Sequence, residues 1–185
     1  SENELVLSIF ADNVWIFNKL TGDLRPLPIN DPAFLYKLRH SGRNLNIINE
    51  NDGDLLFFAN SIYRYNSKSG LCHIITDNSN RKYDYGIIGR NEAGVWLHNN
   101  VNIYLLEEDS SQMIFKGKHE NGDIRCGHLG SDGVIYLATD EGICLFDTAT
   151  RTFRDINTQL FTDANCIVCD NNGRAWVGTE RGLAA

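Results

Sequence analysis

The feature that most constrains what this chain can fold into is a repeat. Gly173-Arg174-Ala175-Trp176-Val177-Gly178-Thr179-Glu180-Arg181-Gly182-Leu183 matches, position for position, Gly133-Val134-Ile135-Tyr136-Leu137-Ala138-Thr139-Asp140-Glu141-Gly142-Ile143, forty residues earlier. A further forty residues back, Trp96 falls on Tyr136 and Trp176, Leu97 on Leu137 and Val177, and Ile103 on Ile143 and Leu183. Self-similarity at a fixed period of this length belongs to solenoids, propellers and arrays, whose units bury their apolar faces against one another.

The pattern inside one period selects among these. Leu45 to Asn49, Tyr85 to Gly89, Arg125 to Leu129 and Asn165 to Cys169 each precede an apolar run, with Gly, Asn or Asp between. Each later unit then reads as four short strands; in the fourth they are expected near 124–129, 133–138, 142–147 and 152–156. Asn18 to Leu24, Asn66 to Cys72, Glu107 to Met113 and Asp147 to Phe153 share one plan: a polar acceptor, then Ser or Thr, then an apolar residue. That is turn chemistry, in which side-chain oxygens bond nearby backbone N–H groups, so Asp147 is read as a turn former. Leu55-Leu56-Phe57-Phe58 is apolar on both faces, as strands covered on both sides are. Small residues, Asn46, Gly86, Cys126 and Cys166, recur on the first strand, where a central axis would crowd the backbone. Cys126 and Cys166 are accordingly expected to be small buried residues.

The expected fold is therefore all-β, a β-propeller of about four blades of four antiparallel strands. The units run roughly 1–43, 44–83, 84–123, 124–163 and a partial 164–185. Nothing in the chain shows a 3.6-residue pattern, which argues against helical solenoids. The first unit lacks its first strand and the last stops inside its third. A second strand at both ends (Leu5–Phe10 and Ala175–Gly178) favours a piece of a larger propeller over a closed small ring. Ile29 to Arg43, the longest connection, is read as a loop whose aromatics cover the core, with a lid or partner contact as the alternative.

Val168-Cys169-Asp170-Asn171-Asn172-Gly173 followed by Trp176-Val177-Gly178-Thr179 and Gly182-Leu183 resembles the two-component regulator propeller repeat. Asp132-Gly133 through Ile143 is similar, with Tyr136 for Trp and Ala138 for Gly. The third copy departs, having His98-Asn99 for Gly-Thr and Asn102 for Gly. The resemblance implies a sensor region of a Bacteroides-type hybrid two-component system, placed in the periplasm and responding to glycan fragments. It also implies as partners an oligosaccharide ligand, a neighbouring propeller or sandwich domain, and a second copy in a homodimer.

Charge and motifs exclude other classes. With a net charge of −7 and scattered Lys and Arg, nucleic acid and anionic membrane are not expected partners. No apolar run is long enough for a membrane span. Cys166-x-x-Cys169 is half a zinc pattern with no second pair, so no metal site is read from spacing, and no cofactor is expected. Nucleophile elbows, His-Glu-x-x-His and phosphate loops are missing from the sequence, and Asp52, Asp132 and Asp170 read as turn acceptors. Trp96 and Trp176 read as core, Trp15 as more exposed, and His128 as facing the centre from an inner strand. The expected function is non-enzymatic ligand recognition; a propeller lyase or glycosidase, or a general interaction propeller, are the alternatives. Ligand contacts are expected where the copies disagree, at Ile29–Arg43, Thr76–Asp84 and His98–Asn102, with His98, Asn99, Asn100, Phe34 and Tyr36 as candidates.

Overall fold

The computed structural model describes residues 3–9, 13–39, 46–50, 53–58, 61–75, 85–156, 162–170 and 172–184. The chain divides into two compact units, Ser1–Tyr83 and Asp84–Ala185. Among the described residues there are five antiparallel sheets, each made of consecutive strands and forming one propeller blade.

The first unit holds two sheets. β1 (Glu4–Ile9), β2 (Asn13–Asn18) and β3 (Leu24–Pro26) form one. β4 (Asn46–Asn49), β5 (Leu55–Phe58), β6 (Ile62–Tyr65) and β7 (Cys72–Ile75) form the other. Between them the Ile29–Arg43 connection is not all loop, because Pro32–Arg39 is an α-helix, α1. Its start is dictated locally: Asp31 Oδ1 accepts the Phe34 N–H at 2.9 Å, and Pro32 sits at the first helical position, where a missing N–H costs nothing. Phe34, 2% exposed, packs 5.2 Å from the Phe57 ring and 4.9 Å from Tyr63, so the helix covers this unit's core as expected of its aromatics.

The second unit holds three sheets. β8 (Gly86–Asn91), β9 (Gly94–His98), β10 (Asn102–Leu106) and β11 (Ile114–Lys118) make the first. β12 (Ile124–Leu129), β13 (Val134–Thr139), β14 (Gly142–Asp147) and β15 (Thr152–Ile156) make the second, within a residue of the strands expected from the repeat. β16 (Ala164–Cys169), β17 (Ala175–Thr179) and β18 (Gly182–Ala184) make the third. Apolar clusters tie these sheets together. One joins Ile88, Trp96, Ile103, Ile135, Leu137 and Phe146, and another joins Ala138, Ile143, Ala164, Ile167 and Val177. Residues such as Leu137 and Phe146, 0% exposed, are worth roughly 1.5–3 kcal/mol each by area removed from water.

The repeated turn between third and fourth strands is built as its composition implies. Asn18 Oδ1 accepts the N–H groups of Leu20 and Thr21, Asn66 Oδ1 that of Ser69, and Asp147 Oδ1 those of Ala149 and Thr150. Gly22, Gly70 and Arg151 then close each turn at φ of 77°, 72° and 58°, with the N–H bonded to the carbonyl of Asn18, Asn66 or Asp147.

The cysteines correct one expectation. Cys166 is exposed and Cys126 half-buried; among the described residues only Cys144 is a fully buried cysteine. The reason is a bulge: the β12–β13 register shifts between Ile124 and Cys126, and the β16–β17 register between Ala164 and Cys166, re-aiming both side chains.

That same slot explains the worn third copy. Cys126 lies opposite Ala138 and Cys166 opposite Gly178, whereas Gly86 lies opposite His98. The larger partner has moved from the first strand to the second. A Cβ on Gly86 would meet the His98 ring, at 2.7 Å from Cε1 and 2.8 Å from Cδ2, so His98 can stand there only because residue 86 is glycine. Gly86→Ala is therefore expected to lose about 1–3 kcal/mol in urea denaturation through overpacking. Gly86→Ala combined with His98→Ala should recover most of that loss, as a favourable coupling in the double-mutant cycle. Additive losses would contradict the exchange of sizes.

Candidate functional site

One place at which polar side chains converge lies in the second unit. It is a cavity of about 460 Å³ lined by the turns joining first to second strands in three successive sheets. Arg90 and Asn91 come from the β8–β9 turn, His128 to Gly133 with Tyr136 from the β12–β13 hairpin, and Cys169, Asp170 and Gly173 from the β16–β17 turn. Its volume lies within the range of small-molecule sites.

Each turn is held by one device. Asn91 Oδ1 accepts the Ala93 N–H at 3.0 Å and the Trp96 indole N–H at 3.1 Å. Asp132 Oδ1 accepts the Val134 N–H while its Oδ2 accepts the Tyr136 hydroxyl at 3.1 Å. Asp170 Oδ1 accepts the N–H groups of Asn172 and Arg174, and Oδ2 accepts the Trp176 indole N–H at 3.2 Å. A side-chain oxygen in the turn thus hooks the polar tip of the aromatic on the second strand, fixing the loop to the sheet. This is why an Asp or Asn and a Trp or Tyr recur together. Asp132 and Asp170 are turn acceptors, as read from their repetition, and they also line the cavity.

The hooks set the electrostatics. Backbone N–H donation from Arg174, with the Trp176 indole, holds the Asp170 carboxyl below its ordinary range, outweighing its desolvation. Burial, then the charges of Asp132 and Asp170, push the Cys169 thiol up, so it stays protonated and is a poor nucleophile. Tyr136 is likewise pushed up by burial and by its bond to Asp132. The site offers fixed acceptors, the Arg90 guanidinium and the His128 imidazole; the Cys169 thiol and Tyr136 hydroxyl beside them are both held in their protonated forms.

The residues singled out from disagreement between the copies lie elsewhere. His98 and Asn99 are buried, 6% and 2% exposed, in the β9–β10 turn. His98 Nδ1 faces the Asn99 carbonyl at 3.0 Å, and burial pushes the imidazole down, toward its neutral form. Asn99 Oδ1 accepts the N–H groups of Val101 and Asn102, and both Asn99 and Asn102 donate to the Tyr104 hydroxyl. Asn100 is exposed, and its carbonyl accepts the Ile124 N–H. The structure thus brings His98, Asn99 and Asn100 into one turn, in which the side chains of His98 and Asn99 bond to groups of that turn and of β10. Phe34 is core, and Tyr36 is 64% exposed on α1. Thr76–Asp84 falls outside the described residues. Of the other residues noted in the sequence, His128, Tyr136 and Cys169 line the cavity beside the turn acids. Trp96 is 3% exposed, as expected of core, while Trp176 is only half-buried, with the Arg174 guanidinium 5.8 Å over its ring; Trp15 is half-buried too.

Residues 158–181 match the two component regulator propeller family. No curated protein sequence matches the chain. Among solved structures, the extracellular domain of the hybrid two component system BT4673 from B. thetaiotaomicron is similar at a TM-score of 0.70 and 16% identity. The match covers 98% of this chain and 25% of that one. Virginiamycin B lyase from Staphylococcus aureus is similar at a TM-score of 0.72 and 16% identity, over 100% of this chain and 66% of that one. The WD40 propeller domain of Doa1 follows at 0.66 and 11%, over 99% and 60%. At these identities the likeness establishes the propeller fold. The chain spans about a quarter of the length of the BT4673 structures. Among the described residues no helix is long and apolar enough to cross a membrane.

If the hook is electrostatic, its stability follows the Asp170 charge. A depressed folded-state pKa contributes stability that is present above the ordinary value of 3.8 and lost as pH falls through the lower folded value. The Trp176 indole N–H resonance is expected to move in that acid window, and to stay flat in Asp170→Asn. A wild-type resonance that does not respond there would contradict the hook.

Proposed function

We propose that this chain, which carries a repeat of the two component regulator propeller family, is a ligand-recognition propeller from the extracytoplasmic part of a two-component receptor. Its ligand is an oligosaccharide fragment, bound without bond chemistry by the first-to-second-strand turns of the second unit. The observation that carries this reading is the 460 Å³ cavity, where three successive turns present hydrogen-bonding groups of both kinds beside an aromatic ring.

The chemistry suits a polyhydroxylated ligand. Fixed carboxylates and an amide accept from sugar hydroxyls, Arg90 and His128 donate to them, and the Tyr136 ring supplies an apolar wall. The hooks lock the acceptors before binding, so less ordering is needed when the ligand arrives. Signalling then rests on differential affinity for two arrangements of the receptor, expressed through packing against a neighbouring propeller or sandwich domain or a second copy. The similarity to an extracellular domain of a two component system supports placement in the periplasm. The lyase among the structural relatives keeps an enzymatic reading in view, and the protonated Cys169 thiol is a poor nucleophile for it.

Calorimetry with a panel of oligosaccharides, run beside a turnover assay on the same panel, tests this. At least one member is expected to bind unchanged in covalent structure. Arg90→Ala and His128→Ala should each weaken it by about tenfold, or roughly 1.4 kcal/mol, while Asn100→Ala leaves it unaltered. Product release would overturn the sensor reading in favour of an enzyme. Binding that is insensitive to Arg90 and His128 would remove the ligand from this cavity.

A further inference from the structure

A second cluster in the same unit is not used by the proposed ligand site. His119, Cys144 and Asp155 each offer one ligand atom, and these atoms all lie within 4.8 Å of one another. The residues are far apart in sequence, so no spacing along the chain reveals them. The fold assembles them: Cys144 and Asp155 are directly opposite in the β14–β15 ladder, and His119 follows β11 of the preceding sheet. Register alone places Cys144 and Asp155 on one face of their sheet.

The histidine is fixed from every side. Its backbone N–H donates to the Val101 carbonyl at 2.7 Å, and its ring packs 5.6 Å from Phe153. Nδ1 lies 3.0 Å from the Gly122 carbonyl, and Nε2 lies 2.9 Å from Asp155 Oδ1. A carbonyl is only an acceptor, so Nδ1 carries the proton. Nε2 faces a carboxylate oxygen, a pair that a proton on Nε2 satisfies and in which a divalent cation could take the proton's place. The other carboxylate oxygen, Oδ2, accepts from Asn121 Nδ2 at 2.7 Å, which orients Asp155 toward the ring.

We infer that His119 Nε2, Cys144 Sγ and Asp155 Oδ1 form a binding site for a zinc-class divalent ion that staples β11 of one sheet to β14 and β15 of the next. Imidazole, thiolate and carboxylate together form the mixed donor set that zinc takes. The Nδ1–H to carbonyl bond and the Asn121 to Asp155 bond are the orienting contacts that metal-bound histidine and carboxylate ordinarily have. A tetrahedron with Zn–N of about 2.0 Å and Zn–S of about 2.3 Å has edges of roughly 3.4 Å, so the farthest ligand atoms close by about 1.4 Å at most and Nε2 and Oδ1 part by about 0.5 Å on binding. Asp155 also lines a cavity of about 380 Å³ with Asn121, Thr139 and Glu141, from which water could complete the shell. The ion displaces the thiol proton of Cys144 and the proton held between His119 Nε2 and Asp155, so up to two protons per metal pass to the buffer.

The test is a titration of the whole chain, stripped with a chelator, with Co²⁺ as the probe and Zn²⁺ as competitor. The expected result is one equivalent of Co²⁺ giving tetrahedral d–d bands and a thiolate-to-metal charge-transfer band, both removed by Zn²⁺. Cys144→Ser should abolish the charge-transfer band, and Asp155→Asn, at a partly exposed side chain, should weaken binding at least tenfold. A variant with Cys126, Cys166 and Cys169 all changed to Ser should bind as the wild type does. Zn²⁺ should raise the Tm of the wild type and not of Cys144→Ser. No uptake by the wild type, or a charge-transfer band that survives in Cys144→Ser, would overturn the proposal. The cation at His119 is then a proton alone.

Discussion

Strands that are apolar on both faces have one stable solution in this chain, which is to be covered on both faces. Leu55 to Phe58 are buried in succession, as are Gly94 to His98, and no isolated sheet could accommodate either. In the second unit the cover for β13 and β14 comes from the sheets on either side, through Trp96 and Phe146 on one face and Ile167 and Val177 on the other. Trp96 and Phe146 meet with ring centroids 6.3 Å apart and planes inclined at 61°, an edge-to-face arrangement. Blade-to-blade burial is thus the term on which the rest depends, and the period of the sequence is its direct imprint.

On that base the turns do two tasks with the same atoms. An Asp or Asn satisfies the backbone of its own hairpin and the indole or phenol of the next strand, so Trp96, Tyr136 and Trp176 keep their polar tips paired near the surface. Because three such turns come from neighbouring sheets, their remaining polar groups face one cavity. In the proposed reading, turn acceptors of the scaffold and the unrepeated Arg90 and His128 form one recognition surface.

That overlap explains what could be read before the structure. Strand positions were legible because buried alternation and turn acceptors recur; β12 and β15 begin and end where the copies align. The helix Pro32–Arg39 was not, since eight residues carry little periodic signal, although Asp31-Pro32 is a helix start in its own right. Burial of Cys126 and Cys166 was misjudged because a bulge changes which way a side chain points without changing the residues. Where the copies disagree, His98 and Asn99 are accommodated by Gly86 on the neighbouring strand and by the Tyr104 hydroxyl. Asp132 and Asp170, common to the copies and correctly read as turn formers, were set aside as scaffold, so the cavity they line stayed out of sight.

The central claim is that the pre-ordered first-to-second-strand turns of the second unit receive the ligand. Amide hydrogen exchange measured by mass spectrometry, with and without a saturating oligosaccharide that binds, tests it most directly. The account predicts added protection confined to peptides spanning residues 90–93, 128–136 and 169–174, with 98–102 unchanged. Protection centred on 98–102 or on α1, with the three turns unaffected, would contradict it.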